Sequence, residues 1–119
     1  LLILDEPFAG LDTMSKNELV GIINYFNARY GTAVILTSHD VDIVPEIADY
    51  IYLLKTGGEI SKRGKPKDIF ADADELAKYR LEPPILSKFF LTLKKKIPKI
   101  QIPLTIEEAE QIIEKIIKK

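Results

Sequence analysis

The chain has 119 residues, of which 46% are hydrophobic, enough for one packed domain, and this composition argues against a disordered or collagen-like protein. The absence of cysteine excludes a disulfide scaffold and a cysteine-ligated zinc site, and a single histidine excludes any site that needs two. Residues 1–59 carry 9 acidic and 3 basic side chains, whereas residues 60–119 carry 9 and 14, for a net charge of −1. This balance argues against a nucleic-acid binder, and no apolar run is long enough to span a membrane.

A continuous apolar run at residues 1–4 opens the chain and ends at Asp5-Glu6-Pro7. Such a run predicts a strand buried on both faces of a parallel sheet, and proline ends it because it cannot donate a ladder hydrogen bond. The sequence begins inside this strand without an initiator methionine. We therefore expect the chain to be the C-terminal part of a longer protein.

A loop at residues 9–12 precedes a predicted helix with an apolar face at helical spacing, formed by Leu19, Ile22, Ile23, Phe26 and Tyr30. Ser15 and Glu18 match a capping box at the start of this helix, and Gly31 matches a C-terminal cap. A second buried strand is predicted at residues 32–37, followed by Ser38-His39-Asp40, where Asp40 is a candidate cap for a short helix.

Further along, a third strand is predicted at residues 51–54, and Gly57-Gly58 turns it into a fourth strand at residues 59–62. Residues 66–70 open another helix. Strands that alternate with helices predict an α/β fold with a parallel sheet.

Glu82-Pro83-Pro84 interrupts the chain and predicts a boundary between a domain at residues 1–82 and a helical extension at residues 83–119. The extension is predicted to hold two amphipathic helices, and Thr105 and Glu108 form a capping box for the second. The apolar side chains expected to face inward are Leu86, Phe89, Phe90, Leu93 and Ile97 in the first helix and Ala109, Ile112, Ile113 and Ile116 in the second.

Polar side chains follow both of the first two predicted strands. Asp5 and Glu6 end one strand and His39 follows the next, so all three are expected at the edge of the sheet where ligands bind in open α/β folds. Of two adjacent carboxylates, one can support Mg²⁺ while the other orients and deprotonates a water molecule. Asp12, considered alone, is better explained as a helix cap.

Taken together, these motifs closely resemble the ATP-binding subunit of ATP-binding-cassette (ABC) transporters. Leu1-Leu2-Ile3-Leu4-Asp5-Glu6-Pro7 is similar to the Walker B strand, Ala9-Gly10-Leu11-Asp12 to the D-loop, and Thr37-Ser38-His39-Asp40 to the switch-histidine motif. The resemblance covers about residues 1–80 and includes the Gly hairpin and the Gly64-x-Pro66-x-x-Ile69-Phe70 pattern. Phe8 stands where many members of the family carry threonine or serine, and Thr13 where many carry proline. Neither departure affects the residue roles that the resemblance implies.

This resemblance implies the C-terminal part of a P-loop NTPase sheet with flanking helices, a β-hairpin and the helical extension. It implies that Asp5 supports Mg²⁺, directly or through water, that Glu6 is the general base, and that His39 contacts the γ-phosphate of ATP. Asp12 would reach the phosphate loop of a partner subunit. The phosphate loop, glutamine loop and signature motif do not occur in the chain. The chain alone is therefore expected to be inactive.

Because the strand that leads into the phosphate loop lies at the centre of the sheet in this family, the resemblance also implies a specific pairing. We expect residues 1–4 to pair in parallel with residues 33–36. We expect residues 51–54 to pair only with their hairpin partner.

The tail, with Leu81-Glu82-Pro83-Pro84 and Pro103-Leu104-Thr105-Ile106, resembles the extension of energy-coupling-factor importers of cobalt, nickel or vitamins. The resemblance implies a peripheral ATPase at the cytoplasmic face of the cell membrane. Its partners would be a second ATPase subunit and an integral membrane transport subunit, not nucleic acid.

Two alternatives remain open at this point. A DNA-repair or chromosome-maintenance ATPase shares the Walker B and D-loop patterns, although it would carry long coiled coils. The second alternative is a non-catalytic fragment whose lysine-rich segment at residues 88–99 binds a partner or an anionic membrane.

Overall fold

The computed structural model describes all 119 residues and contains both helices and strands. Its elements are β1 (Leu2–Leu4), α1 (Thr13–Tyr30), β2 (Val34–Leu36), α2 (Val44–Ile47), β3 (Ile51–Leu54), β4 (Ile60–Gly64), α3 (Pro66–Phe70), α4 (Ala73–Ala77), α5 (Ile85–Lys94) and α6 (Ile106–Ile117). They form two compact units, Leu1–Ile47 and Ala48–Lys119. The boundary predicted between residues 82 and 83 falls within the second unit. None of the helices combines the length and apolar character needed to cross a membrane.

The first unit is built on a two-stranded parallel sheet. Strand β1 pairs with β2 in the register Leu2↔Val34, Ile3↔Ile35 and Leu4↔Leu36, which confirms the predicted pairing. Parallel neighbours need a crossover, and α1 provides it. The predicted burial of both faces is wrong, because Ile3 and Ile35 are 68% and 58% exposed. Only the opposite face of the sheet packs against a core, centred on Phe8, Ile23 and Ile43.

Helix α1 begins three residues earlier than the predicted capping box. The Asp12 side chain accepts a hydrogen bond of 2.8 Å from Ser15 N–H, so Asp12 is the N-cap and the Ser15–Glu18 capping box is wrong. Gly31 ends the helix at φ 61°, as predicted, in a left-handed conformation that costs glycine little.

The apolar face predicted for α1 is only partly buried. Ile23 lies in the core and Leu19 packs against it. Ile22, Phe26 and Tyr30, which follow one another at intervals of four residues, are exposed. They lie on a neighbouring row of the helix surface, so they face away from the small sheet.

The second unit begins with an antiparallel hairpin of β3 and β4. The strands pair from Ile51↔Gly64 to Leu54↔Ile60, with an irregularity at Leu53/Leu54, and the sheet contains no other strand. This confirms that residues 51–54 pair only within their hairpin. The fourth strand begins one residue later than predicted and extends two residues further, to Gly64.

Helices α5 and α6 share a core of their own, formed by Phe90, Ile100 and Ala109 with partly buried residues from the same segment. Thr105 caps α6 by accepting from Glu108 N–H at 3.3 Å, and the Glu108 carboxylate accepts from Leu104 N–H at 2.9 Å. The predicted capping box is therefore present, except that the Glu108 carboxylate accepts from Leu104 N–H and not from the N–H of the N-cap residue Thr105. Four residues predicted to face inward are exposed: Phe89, Ile97, Ile113 and Ile116. Phe89, Ile113 and Ile116 lie on helix rows that do not meet this small core, whereas Ile97 lies beyond the end of α5 at Lys94.

Candidate functional site

The carboxyl ends of β1 and β2 lie at the same edge of the parallel sheet. Asp5 and Glu6 follow β1, and Thr37, Ser38 and His39 follow β2. The ladder continues one step beyond the strands, since Thr37 N–H donates to Leu4 O at 3.0 Å. This bond fixes the two polar segments side by side.

Thr37 connects the two segments through its hydroxyl group. Its Oγ1 donates to Asp5 Oδ1 at 2.5 Å and accepts from Glu6 N–H at 2.8 Å. Thr37 lies within the segment that resembles the switch-histidine motif, but the sequence alone predicts no role for it. The signal that points to it is a hydroxyl residue directly after a strand that pairs with the strand before two acids.

His39 and Glu6 are also in contact, between His39 Nδ1 and Glu6 Oε1. The two side chains differ in accessibility, because His39 is 88% exposed and Glu6 34%. A carboxylate on Nδ1 orients the imidazole ring and leaves Nε2 directed toward other partners. The structure thus brings together three residues that the sequence predicted for the site: Asp5, Glu6 and His39.

The backbone of Glu6 is unusual, with φ at 46° in the left-handed region. A residue other than glycine, asparagine or aspartate in this region is uncommon, and the strain costs on the order of 1–3 kcal/mol. Two hydrogen bonds stabilise it: Glu6 N–H donates to Thr37 Oγ1, and Glu6 O accepts from Ala9 N–H at 3.1 Å. Backbone strain held by neighbouring groups is typical of functional sites.

Asp12 has a different environment from the other predicted site residues. The hydrogen bond from Ser15 N–H is the main reason that the pKa of Asp12 lies below its ordinary value. No hydrogen bond or ion pair joins Asp12 to Asp5, Glu6 or His39. Within this chain, Asp12 is therefore a charged helix cap outside the Asp5–Glu6–His39 group.

A part-buried ion pair links α1 to the residue after His39. Lys16 Nζ lies 2.6 Å from Asp40 Oδ2, and Asp40 N–H donates to Ser38 Oγ at 2.9 Å. The Asp40 carboxylate thus pairs with Lys16, whereas the sequence suggested that it would cap the short helix α2. This pair holds the His39 segment against the first turns of α1.

The side chains at this edge could hold Mg²⁺ only together with ligands from outside the chain. No group of three histidine, aspartate or glutamate side chains is placed to hold a metal ion. Asp5 uses one carboxylate oxygen for Thr37 and has the other available. Because Mg²⁺ commonly takes one or two carboxylates and completes its shell with water and substrate phosphates, Asp5 fits a magnesium ion that arrives with a phosphate ligand.

Comparison with known proteins identifies the class of protein. No family model matches the chain. A putative ABC transporter ATP-binding protein of Methanosarcina mazei is 34% identical over 118 residues, which are 99% of this chain and 36% of that relative. The chain is homologous to ABC transporter ATP-binding proteins, as its motifs indicated.

Other relatives are named as ATP-binding proteins of energy-coupling factor transporters. The energy-coupling factor transporter ATP-binding protein EcfA1 of Methanospirillum hungatei is 39% identical over 92% of this chain and 39% of its own length. EcfA2 of Latilactobacillus sakei is 38% identical over 91% of this chain and 37% of its own length. The resemblance to energy-coupling-factor ATP-binding proteins is confirmed. The chain spans less than two fifths of the length of these relatives.

Proposed function

We propose that this chain supplies the base and the phosphate sensor of an ATP-hydrolysing subunit that powers a membrane importer of the energy-coupling-factor type. The observation that carries the proposal is the contact of Glu6 with His39 beside Asp5, at the carboxyl edge of a parallel sheet. A carboxylate, a histidine and a candidate magnesium ligand at one edge suit hydrolysis of the terminal phosphoanhydride bond of ATP by water.

Glu6 is proposed as the general base. Its carboxylate is part-exposed, so water can reach it, and its backbone is held by Thr37 and Ala9. In the proposed reaction, Glu6 orients a water molecule and accepts its proton as the water oxygen attacks the γ-phosphorus of ATP, and the bond from that phosphorus to the β–γ bridging oxygen breaks to release ADP. A positioned base contributes about 10²–10⁴ in rate.

His39 is proposed as the γ-phosphate contact. Glu6 occupies the Nδ1 side of the ring, which leaves Nε2 for the nucleotide. Hydrolysis removes the γ-phosphate and releases Nε2, so that His39 can report whether ATP or ADP is present.

Asp5 is proposed to hold Mg²⁺, directly or through water, and the ion would neutralise charge on the phosphate oxygens. The hydrogen bond from Thr37 keeps Asp5 oriented for this task. We further propose that Asp12 acts across a dimer of ATPase subunits, at the phosphate loop of the partner. The exposed position and the charged carboxylate of Asp12 support this role.

The names of the relatives support a transport setting. We propose a peripheral location at the cytoplasmic face of the cell membrane, with a second ATPase subunit and an integral membrane subunit as partners, and a metal ion or vitamin as transported substrate. The placement of β1, α1 and β2 in a P-loop NTPase sheet is part of this proposal. None of the relatives described above has a name that refers to DNA repair or chromosome maintenance.

Residues 83–119 are proposed as a separate regulatory or dimer-stabilising extension. The hydrophobic core that α5 and α6 share supports this boundary, because every residue of that core lies beyond Pro84 in the sequence. Deletion of residues 83–119 from a full-length protein is expected to weaken self-association or transport more than ATP affinity. Loss of ATP binding on this deletion would show that the extension is part of the nucleotide-binding domain.

The main test uses a full-length protein of the relatives' size that contains this chain. Glu6→Gln is expected to lower ATP hydrolysis about 10²–10⁴-fold, and His39→Ala about 10²–10³-fold, while both variants still bind ATP. Glu18→Gln, an exposed change on α1, is the control and should hydrolyse ATP at the wild-type rate. Hydrolysis at the wild-type rate by the Glu6 variant would remove Glu6 as the base.

A further inference from the structure

The second unit contains a cleft of about 540 Å³ that is lined by residues from α3, from the end of α5 and the segment that follows it, and from α6. Its apolar wall consists of Ile100, Ile102 and Ile112, of which Ile100 is buried. Four lysines line the same cleft: Lys67, Lys94, Lys99 and Lys115. No residue of the first unit lines it, so the cleft is distinct from the Asp5–Glu6–His39 group.

One acidic side chain, Glu108, lines the cleft, and it is already engaged. Its carboxylate lies 3.1 Å from Lys67 Nζ and accepts from Leu104 N–H at 2.9 Å. Burial raises the pKa of Glu108, but the Leu104 hydrogen bond and Lys67 outweigh that effect and hold the pKa below its ordinary value. The negative charge of Glu108 therefore offsets the positive charge of Lys67 beside it.

The three other lysines lack an acidic partner. Lys94, Lys99 and Lys115 take part in none of the ion pairs of the chain. The acids elsewhere on α6 do not line the cleft, and Glu114 pairs with Lys118. The cleft therefore concentrates three exposed lysines without an acidic partner beside an apolar wall, and their combined positive charge attracts an anion.

We propose that this cleft is a binding site for a phosphate-bearing anion. Lysine ammonium groups bind phosphate as point charges, and Gln101 and Gln111 at the cleft add amide donors. The volume lies within the range of about 300–1,000 Å³ that is usual for small-molecule sites. The same chemistry suits a free phosphorylated compound and the headgroup of an anionic phospholipid.

The first measurement uses the 119-residue chain at low salt with two probes. Inorganic pyrophosphate is titrated while backbone amide signals are followed by NMR, and sedimentation is measured with phosphatidylcholine vesicles with and without phosphatidylglycerol. Shifts that cluster at the cleft residues support a free phosphate ligand, and sedimentation only with phosphatidylglycerol supports a lipid headgroup. Absence of both responses up to millimolar pyrophosphate, or shifts spread over all lysines, would overturn the proposal.

The second measurement separates the cleft from general charge. The triple variant Lys94→Gln/Lys99→Gln/Lys115→Gln is expected to bind the active probe about tenfold more weakly or worse, because it removes the charged donors of the site. The control Lys95→Gln/Lys96→Gln/Lys119→Gln removes the same charge from neighbouring exposed positions that do not line the cleft. Equal weakening in both triples would show non-specific attraction and contradict the site. Circular dichroism confirms that each variant is folded.

Discussion

Thr37 and Asp5 lie 32 positions apart in the sequence, yet the Thr37 hydroxyl donates a hydrogen bond of 2.5 Å to the Asp5 carboxylate. The same oxygen accepts from Glu6 N–H, so one side chain orients the candidate magnesium ligand and the backbone of the candidate base. We therefore assign Thr37 as a positioning residue for the proposed reaction.

Replacement of Thr37 by valine keeps the branched shape and removes the hydroxyl. We expect a loss of about 1–2 kcal/mol in the free energy of unfolding, since two hydrogen bonds are lost. In the full-length protein, kcat for ATP hydrolysis should fall about tenfold or more while KM changes little, because a displaced base loses alignment with its water. Thr37→Ser restores the hydroxyl and should recover both quantities. A serine variant as impaired as the valine variant would contradict the role of the hydroxyl.

Two substitutions of Asp12 separate its role as a helix cap from its proposed role at a partner subunit. Asp12→Ala should lower the free energy of unfolding, because it removes the N-cap hydrogen bond, whereas Asp12→Asn should lower it much less, because asparagine also caps helices well. If the carboxylate acts across a dimer, both variants lower ATP hydrolysis in the full-length protein. An asparagine variant that is stable and fully active would reduce Asp12 to a cap.

Glu108 makes the free energy of unfolding of the chain depend on pH in the acidic range. Its pKa in the folded chain lies below the ordinary value of 4.5, so the unfolded chain binds the proton more readily. The stabilisation from Glu108 is therefore complete above pH 4.5 and is lost as the pH falls through the folded pKa. Glu108→Gln keeps an acceptor for Leu104 N–H but loses the pair with Lys67, at a cost of about 0.2–1 kcal/mol at pH 7.

Denaturant unfolding between pH 7 and pH 3 measures this effect. The Glu108→Gln variant should lose less stability on acidification than the wild-type chain. Glu107→Gln, an exposed neighbour with no ion pair, is the matched control and should follow the wild-type curve. A Glu108 variant with the wild-type acid dependence would mean that this carboxylate is not a source of it.

Phe89 and Phe90 are adjacent on α5 but differ in burial, with 58% and 0% of each residue exposed. Phe90→Ala leaves a cavity in the core of α5 and α6 and should cost about 3–5 kcal/mol. Phe89→Ala removes an exposed ring and its edge contact with Phe90, so it should cost about 1 kcal/mol or less. Thermal unfolding of the two variants measures the difference. Similar losses would contradict the assignment of Phe90 to the core.

Local signals in the sequence predict much of this fold. The apolar runs at β1 and β2, the Gly57-Gly58 turn and Pro66 at the first turn of α3 each have a short-range physical cause. The edge that unites Asp5, Glu6 and His39 follows from parallel pairing alone. The sequence does not decide where α1 begins, because Asp12 and Ser15 are both good caps and only the Asp12–Ser15 hydrogen bond distinguishes them.

Burial and side-chain partners depend on what covers each surface, which spacing does not show. Ile3 and Ile35 have the apolar character of core residues, but no layer covers their face of the sheet. Phe89 and Ile113 likewise match the helical period and still point away from the small core. The role of Thr37 is hidden in the sequence for a related reason, because both hydrogen-bond partners of its hydroxyl lie more than thirty positions away.

The left-handed backbone of Glu6 and its proposed role as the base place opposite demands on one position. Selection of random substitutions at residue 6 for folding alone would enrich glycine and asparagine and deplete valine and isoleucine, because β-branched side chains tolerate a positive φ poorly. Selection for ATP turnover would return glutamate in spite of its strain. The two libraries would diverge at this residue and agree at Phe8 and Ile23, which are buried in the core.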